Sequence, residues 1–521
     1  MGTARRAQDV ADLVAVAARE NPDKLALVEA GGRSVTWAEL DDEVGRVATG
    51  LGAAGVVAGH RVMLVLGNRI EFVTSYLGVL RAQAVAVPVN PGSTSGELAR
   101  VLADSGSRMV LAEPGTVRAV RDALLDPAGP ATAPRLVVVG GTLQPGERSY
   151  DHLRADRARP VPPLQDPEKL AALLYTSGTS GRPRAAMLTH RALLANIEQV
   201  AGVEPPMIHG DDVVLGVLPL FHVYGLNAVL GGVLRHRAKL VLVDRFDPDG
   251  TLDLVEDEAC SVVPVAPPVF AHWRGVDGLA ERLGPVRLVL SGSAPLAPEV
   301  VEEFTATTGV PVHQGYGLTE AAPVVTSTLC SSAPAPASVG APLPGIEVRL
   351  VDAAGRPVEG DPGEIQVRGD NLFSGYWPDG ADGPAPDGWW STGDVGILDE
   401  AGDLTLVDRV KEVVIVSGFN VFPVEVEDVL KEVPGVAEAA VIGTPDDVSG
   451  EAVVAYVVAA ADADPATVER AAVERCAARL APYKRPSRVE VVAELPLTVT
   501  GKVQKGRLRQ IERRRTLGLL E

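Results

Sequence analysis

The sequence predicts an α/β protein with two main parts. We expect a large N-terminal domain of two parallel-rich sheets plus a β subdomain, followed by a small mobile α+β domain. Short continuous apolar runs alternate with helical segments, which is typical of parallel strands covered by helices on both faces. Beyond about residue 345, runs alternate apolar and polar residues instead, as antiparallel strands with one wet face do. A length of 521 residues also favours several domains over a single core.

The N-terminal half supplies the repeated strand–helix–strand units. Thr36 and Glu39 form a capping-box pattern that predicts a helix to about Leu51. Residues 71–81 have helical periodicity and lie between two apolar runs. Apolar runs predict strands at 62–66, 84–89, 110–111, 136–139, 213–217, 240–243, 262–265 and 286–290.

The pattern of apolar and polar residues changes twice in the C-terminal third. Alternating runs predict β-subdomain strands at 347–350, 364–367 and 404–407, and later segments predict helices at 425–433 and 468–480 around strands at 437–442 and 453–459. We therefore place the large domain at 1–407, its β subdomain at about 345–407, the boundary at 408–411 and the small domain at 412–521.

Charge and cysteine content exclude several classes of function. The net charge of −20 argues against nucleic acid as a partner, because a phosphate backbone requires basic patches. The three cysteines lie far apart and form neither a metal-binding nor a disulfide pattern, which fits a cytoplasmic protein. Residues 1–9 lack the apolar core of a secretion signal.

One apolar stretch, residues 213–234, is long enough to span a membrane. Pro219, His222, Asn227 and several glycines interrupt it. We expect a buried strand, a turn and a core helix there rather than a transmembrane segment.

The most informative motif runs from Tyr175 to Arg184. Three hydroxyl side chains and two glycines occur within seven residues, directly after an apolar run. Such a loop can surround a polyphosphate with backbone N–H groups and hydroxyls, although many Gly/Ser/Thr clusters are ordinary loops. The spacing of a Walker A loop is missing, so P-loop kinases and GTPases are disfavoured.

Four further segments have similar small and polar residues, and we expect each to be a loop. They are 291–295, 314–320, 390–394 and 500–502. Each one alone is as compatible with a structural turn as with a ligand site. Their order along the chain is the informative property.

With these five motifs in this order, the sequence resembles the adenylate-forming acyl-CoA synthetase superfamily over residues 10–510. Residues 416–423, with Glu425 and Glu427, and residues 218–225 look most like bacterial fatty-acyl-CoA synthetases, and parts also resemble 4-coumarate–CoA ligases. The resemblance implies ATP, Mg²⁺ and coenzyme A as cofactors. It also implies a two-step reaction, in which a carboxylic acid becomes an acyl-adenylate and then a thioester.

The resemblance assigns the nucleotide contacts. Arg184 and the loop residues would hold the β- and γ-phosphates, Thr319 the α-phosphate and Glu320 a Mg²⁺. Arg184 stands where the family usually has lysine, and Ala185 where it has glycine. The loop residues are Thr176, Ser177, Gly178, Thr179, Ser180 and Gly181.

The nucleoside contacts come from three other motifs. Tyr316 would stack on adenine, and Asp394 and Arg409 would bind the ribose. Gly292, Ser293, Ala294 and Pro295 would line the adenine pocket, and Gly315 and Gly317 are further candidate cofactor-binding residues.

The candidate catalytic residues are Lys502, His222 and Thr319. Lys502 is the first choice, in a flexible C-terminal loop where its charge would stabilise the adenylation transition state. His222 would sit at the mouth of the acyl pocket, although a lone histidine in an apolar run is more often a core residue. Lys411 would be the hinge about which the small domain turns. That rotation would bring Gly418 to the channel for the pantetheine arm of CoA.

The acid itself is predicted to be neutral and apolar, most simply a fatty acid. The residues expected around the acyl pocket carry no charge, and we expect the glycines among them to leave volume for the acyl chain. The expected pocket residues are Tyr224, Asn227, Val265, Pro267, Gly315 and Gly317. An aromatic acid, an acyl carrier protein as acceptor, a luciferase-like oxygenase and an acyl-adenylate-binding protein without turnover are the alternatives. We expect a monomer or homodimer without nucleic-acid partners.

Overall fold

The protein divides into two compact units. The first comprises Met1–Ser177, Pro183–Glu347 and Arg368–Trp390, and the second Gly178–Arg182, Val348–Val367 and Ser391–Glu521. The computed structural model describes residues 7, 9–130, 132–162, 164–176, 184–294, 296–352, 354–358, 362–409, 412–416, 419–446, 450–480, 482–498 and 501–516. The domain bounds given above remain predictions.

The first part of the first unit is a sheet covered by helices. Its helices are α1 Val10–Glu20, α2 Trp37–Ala53, α3 Ile70–Arg81, α4 Ser95–Ser105, α5 Val117–Leu125 and α6 Tyr150–Leu153. The strands are β1 Leu25–Glu29, β2 Ser34–Thr36, β3 Arg61–Val65, β4 Val85–Pro88, β5 Met109–Ala112, β6 Arg135–Val138, β7 Arg148–Ser149, β8 Leu170–Thr176 and β9 Arg184–Thr189. Within the described ranges, seven of them form a sheet in the order β7-β6-β5-β3-β4-β8-β9, parallel except for β8–β9.

The second part of the first unit contributes another sheet. Its helices are α7 His190–Ala201, α8 Gly232–His236, α9 Pro248–Asp257, α10 Pro268–Trp273, α11 Leu279–Arg282 and α12 Pro298–Thr308. Its strands are β10 Val213–Gly216, β11 Lys239–Leu242, β12 Val262–Val265, β13 Leu288–Ser291, β14 Val312–Gly317, β15 Val324–Ser327 and β16 Ala341–Pro342. Counting only described residues, nine strands pair in the order β16-β15-β14-β13-β12-β10-β11-β1-β2.

Local sequence signals explain why these elements begin where they do. The capping box at Thr36 is present in both directions: the Thr36 hydroxyl accepts from Glu39 N, and the Glu39 carboxylate accepts from Thr36 N. The interrupted apolar stretch is a strand over Val213–Gly216, then a turn, then a π-helix over Tyr224–Gly231 that continues into α8. No described helix is long and apolar enough to cross a membrane.

The second unit contains two sheets. The strands β17 Glu347–Val351, β18 Gly363–Arg368, β19 Trp390–Leu398 and β20 Leu404–Arg409 pair in that order. The C-terminal part contains β21 Val414–Val416, β22 Phe419–Val421, α13 Pro423–Lys431, β23 Val436–Asp446, β24 Gly450–Ala459, α14 Pro465–Arg479, β25 Arg488–Val492 and α15 Lys505–Thr516. Its sheet has the order β22-β21-β24-β23, with β25 parallel to β24. The predicted mixed α/β class is therefore confirmed.

Candidate active site

The carboxyl ends of three parallel strands define the candidate nucleotide site in the first unit. Val265 at the end of β12 is in register with Ser291 of β13, and Ser291 is in register with Gln314 of β14. Two motifs that are separate in the sequence thus emerge side by side at one edge of the sheet. In open parallel sheets this edge is where ligands bind.

The expectation of a loop over residues 314–317 is wrong, because these residues complete strand β14. The strand continues past the parallel sheet and pairs antiparallel with β15, with Tyr316 opposite Thr326. The Thr326 hydroxyl accepts from Tyr316 N at 3.3 Å. Tyr316 is held as part of a two-stranded ribbon, and its side chain is buried.

The glycines of this ribbon are required by the close approach of two backbone segments. The expectation that they leave volume in the acyl pocket is therefore wrong. A Cβ on Gly315 would lie 2.7 Å from the carbonyl oxygen of Thr326, and one on Gly317 would lie 2.4 Å from that of Pro323. Real Cβ atoms do not approach backbone that closely. Glycine is needed here because the two strands approach each other closely.

In the segment after β13, the backbone of Gly292 lies close to the side chain of Tyr224. A Cβ on Gly292 would lie 2.9 Å from Cε1 of the Tyr224 ring. The next residue, Ser293, has a φ of 75°, in the left-handed region that non-glycine residues seldom occupy. The Ser291 hydroxyl is buried without a partner among the described residues, so this edge retains an unused donor and acceptor. Ala294 follows Ser293 in the same segment, and Pro295 lies outside the described residues.

Thr319 and Glu320 lie in a short 3₁₀ turn directly after β14. Glu320 is only 8% exposed, and its Oε1 accepts a hydrogen bond of 2.6 Å from the Tyr376 hydroxyl. Among the described residues there is no group of three or more histidine, cysteine or acidic side chains that could hold a metal by themselves. A single carboxylate still fits Mg²⁺, because this cation usually takes one or two carboxylates and completes its shell with substrate phosphates and water.

The two ends of the phosphate loop are paired residues. Thr176 ends β8, Arg184 begins β9, and the two are in register. The Arg184 guanidinium forms an ion pair of 2.7 Å with Asp382 and lies 3.7 Å from the centroid of the Tyr376 ring. Ala185 is an extended, buried strand residue, so this position does not require glycine. Residues 177–181 lie outside the described part of the chain.

His222 lies just before the π-helix that carries Tyr224 and Asn227. Its Nδ1 accepts from Tyr224 N at 3.3 Å, and its carbonyl accepts from Leu226 N at 2.9 Å. The buried Asn227 amide donates to the carbonyl oxygens of Leu193 and Ala322. Both amide hydrogens of Asn227 are therefore used by the fold.

The second unit holds the other candidate nucleoside residues. The expectation of a loop over 390–394 is wrong, because these residues begin strand β19. Asp394 in β19 is opposite Arg409 in β20, so the two predicted ribose contacts are cross-strand neighbours. The Thr392 hydroxyl accepts from Asp394 N at 3.1 Å.

Lys502 lies at the end of a tight backbone turn in the second unit. Thr498 N donates to the Lys502 carbonyl at 2.7 Å, and Lys502 N donates to the Thr498 hydroxyl at 3.0 Å. A bridge between Leu497 and Val503 closes the turn, and Lys502 is exposed. Lys411 and Gly418 lie outside the described residues, so their roles remain predictions.

Sequence reasoning missed Tyr376 and Asp382. Their segment contains no motif and no regular spacing, and it is about 190 residues from Arg184 in the chain. Backbone pairing with β9 brings it there: Trp377 N donates to the Ala185 carbonyl at 2.9 Å, and Met187 N donates to that of Gly375 at 3.1 Å. The sequence carries no local signal of this long-range pairing.

The fold and the carboxyl-edge residues define an α/β nucleotide-dependent enzyme. The chain belongs to the AMP-binding enzyme family: the family model matches residues 14–377, and the model of the AMP-binding enzyme C-terminal domain matches residues 425–502. Membership confirms the predicted adenylate-forming acyl- or aryl-CoA ligase superfamily and the predicted cofactors ATP, Mg²⁺ and coenzyme A.

Relatives named for different substrates are similar to this chain to nearly the same degree. The chain is 32% identical to a long-chain-fatty-acid–CoA ligase of Bacillus subtilis, covering 94% of this chain and 92% of that protein. It is 34% identical to 4-coumarate–CoA ligase-like 9 of Oryza sativa, covering 96% and 92%. Among solved structures, ATP-bound MatB from Rhodopseudomonas palustris has a TM-score of 0.86 at 33% identity, covering 96% of this chain and 98% of that one.

Proposed function

We propose that this protein is an ATP-dependent ligase that activates a fatty acid and transfers the acyl group to coenzyme A. In the first step a carboxylate oxygen attacks the α-phosphorus of ATP, and the bond to pyrophosphate breaks. In the second step the CoA sulfur attacks the acyl carbon, AMP leaves, and the thiol proton passes to solvent. The relatives named as fatty-acid and 4-coumarate ligases support the overall reaction, and the preference for a fatty acid rests on the acyl site.

The observation that carries the fatty-acid proposal is the use of Asn227. This amide is the most polar side chain among the proposed acyl-site residues, and its two hydrogens already go to the main-chain carbonyls of Leu193 and Ala322. It therefore has no hydrogen left to donate to a second carboxylate on the substrate, whereas its buried Oδ1 has no partner among the described residues and could still accept from a hydroxyl. Val265, another residue of the proposed wall, is fully buried and apolar. A neutral hydrocarbon chain fits such a wall because it asks for no donor.

The first half-reaction needs charge neutralisation more than covalent help. We assign Thr176, Arg184 and the loop between them to the β- and γ-phosphates, and Thr319 to the α-phosphate. Glu320 would hold Mg²⁺, which supplies positive charge to the phosphate oxygens when it is bound. Lys502 would stabilise the charge that builds between carboxylate and α-phosphate.

The nucleoside assignments are those that the motifs imply. Tyr316 and the segment Gly292–Ala294 would hold adenine, and Asp394 with Arg409 would bind the ribose. Carboxylate oxygens of Asp394 can accept from both ribose hydroxyls. Rotation about Lys411 between the half-reactions would replace Lys502 by the segment at Gly418.

The test is a product assay with the full-length protein. It is incubated with ATP, MgCl₂ and single acids from acetate to octadecanoate, together with benzoate and 4-coumarate, with and without CoA. Products are identified by mass spectrometry. We expect fatty acyl-CoA in the complete mixture and a higher kcat/KM for a fatty acid than for either aromatic acid.

Three results would overturn parts of the proposal. A higher kcat/KM for 4-coumarate would reassign the protein as an aromatic acid ligase. Acyl-adenylate without acyl-CoA would favour loading of a carrier protein. No adenylate from any acid, with ATP still bound, would favour a binding protein without turnover.

A further inference from the structure

We infer that Tyr376 is a positioning residue that holds Glu320 with its hydroxyl and Arg184 with its ring. The inference rests on the proposed function, since it concerns how the phosphate and Mg²⁺ end of that site is held together. Tyr376 belongs to none of the motifs in the sequence. Its two contacts join residues that are 136 positions apart in the chain, 184 and 320.

The hydroxyl contact fixes the carboxylate. Tyr376 donates to Oε1 of Glu320 at 2.6 Å, a short distance typical of an O–H group bonded to a charged acceptor. A tyrosine hydroxyl carries its proton at neutral pH, so it donates and the carboxylate accepts. With Oε1 bonded in this way, the rotation of the carboxylate is restricted. The other oxygen, Oε2, would then be available to a cation.

The ring contact fixes the guanidinium. The Cζ atom of Arg184 lies 3.7 Å from the ring centroid, and its Nη2 is 2.7 Å from an oxygen of Asp382. A flat guanidinium can stack on a ring and form an ion pair at its edge at the same time, which a lysine ammonium does not do. Arg184 and Tyr376 therefore form a stacked pair that a lysine at position 184 would not reproduce.

The backbone holds Tyr376 independently of its side chain. Tyr376 N donates to the Ala381 carbonyl at 2.9 Å, and Tyr376 forms a bridge with Ala186 of β9. The neighbouring Trp377 N bonds the Ala185 carbonyl at 2.9 Å. Substituting the side chain therefore leaves the anchoring hydrogen bonds in place, and the role of the side chain can be tested by itself.

The experiment measures the affinity for ATP by isothermal titration calorimetry, with no acid present, in EDTA and in MgCl₂. The ratio of the two dissociation constants is the gain that Mg²⁺ gives to ATP binding. Tyr376→Phe keeps the ring and removes the hydroxyl. Because a hydrogen bond to a charged group is lost, we expect this gain to fall about tenfold or more. The affinity in EDTA should change less than about twofold, an expectation set by the retained stack of Arg184 on the ring.

Tyr376→Leu removes the ring as well, so it should also weaken ATP binding in EDTA, by about two- to fivefold, the range of one exposed cation–π contact. Tyr456→Phe is the matched control, because the Tyr456 hydroxyl also donates to a glutamate, Glu512, but in the C-terminal part of the second unit. It should leave the Mg²⁺-dependent gain unchanged.

The inference is overturned if Tyr376→Phe shows the wild-type gain, or if it weakens ATP binding equally in EDTA and in MgCl₂. These outcomes differ from failure of the proposed function. A wild-type protein that binds Mg²⁺–ATP normally but forms no acyl-CoA from any acid leaves the role of Tyr376 intact and removes the proposed reaction.

Discussion

Lys505 is the cation of a buried charge cluster in the C-terminal part of the second unit. Its Nζ lies 2.8 Å from Glu427 of α13 and 3.4 Å from Glu412, and the lysine and Glu427 side chains are each 10% exposed. Glu427 also accepts from Val441 N of β23 at 2.7 Å. One lysine thus joins the start of α15 to α13 and to the segment that follows the predicted hinge.

Lys505→Met keeps most of the side-chain volume and removes the charge. The buried Glu427 carboxylate then loses its cation, and the partly exposed Glu412 loses the same partner. Removing one partner of a buried ion pair costs about 3–5 kcal/mol, and we take about 3 because Glu427 keeps its bond to Val441 N. That free energy corresponds to a roughly 100-fold increase in local opening.

The assay is hydrogen–deuterium exchange of the full-length protein, read by mass spectrometry on peptides from α13 and β23. Tryptophan fluorescence is unsuitable for this part, because all five tryptophans lie in the first unit, at positions 37, 273, 377, 389 and 390. Exchange of the buried amides measures the opening equilibrium directly. We expect it to accelerate by on the order of 100-fold in Lys505→Met.

Lys484→Met is the matched control, because its partner Glu425 lies on the same helix, α13, as Glu427. Lys484 Nζ lies 2.6 Å from Glu425, so the distance is as short, but the two side chains are 21% and 41% exposed. Solvent screens such a pair, and its loss should cost no more than about 1 kcal/mol, or roughly fivefold in exchange. Equal acceleration in the two variants, or less than about tenfold in Lys505→Met, would refute the argument that burial sets the cost.

Three more predictions follow from single residues. Lys502→Ala should slow ATP–pyrophosphate exchange by about 10²–10³-fold, because one electrostatic donor to the transition state of adenylation is lost. Acyl-CoA should still form from supplied acyl-adenylate. An exchange rate near that of the wild type would contradict this prediction. Gly292→Ala should weaken ATP binding about fivefold or more in calorimetry, since its Cβ would lie 2.9 Å from Tyr224 Cε1 and force a shift; unchanged affinity would remove Gly292 from the adenine site. His190 is buried, and burial lowers its pKa to about 4 from 6.5. Below pH 6.5 the histidine binds a proton in the unfolded chain but not in the folded protein, so acid favours unfolding. The urea midpoint measured by tryptophan fluorescence should therefore fall as the pH drops from 6.5 towards 4. In His190→Leu this part of the pH dependence should be absent. An equal fall of the urea midpoint with pH in both proteins would contradict the prediction.

The sequence predicted the repeating units of the fold well, because their signals are local. Apolar runs buried on both faces and a capping box at Thr36 depend on neighbouring residues only, so helix α2 begins at Trp37 as expected. The carboxyl-edge motifs could likewise be found from composition. At 291–295, for example, glycine and serine directly follow a buried apolar run.

The errors occur where long-range pairing decides the structure. Residues 314–317 and 390–394 look like loops because glycine and polar residues dominate them, yet both segments are strands. Gly315 and Gly317 are there because a neighbouring strand approaches too closely for a Cβ. Tyr376 was missed for the same reason, since β9 recruits it through backbone hydrogen bonds that leave no mark in the local sequence.

The π-helix over Tyr224–Gly231 has an evolutionary consequence. A π-helical segment is equivalent to an α-helix with one residue inserted, and its extra residue bulges from the regular spiral. Deleting a single codon there would restore the α-helix, shift the side chains within the bulged segment and leave the helix on either side in register. The part of the proposed acyl wall that lies in this segment, Asn227, could thus be changed in one genetic step. Relatives with such a deletion would present a different set of side chains to the acid without any substitution.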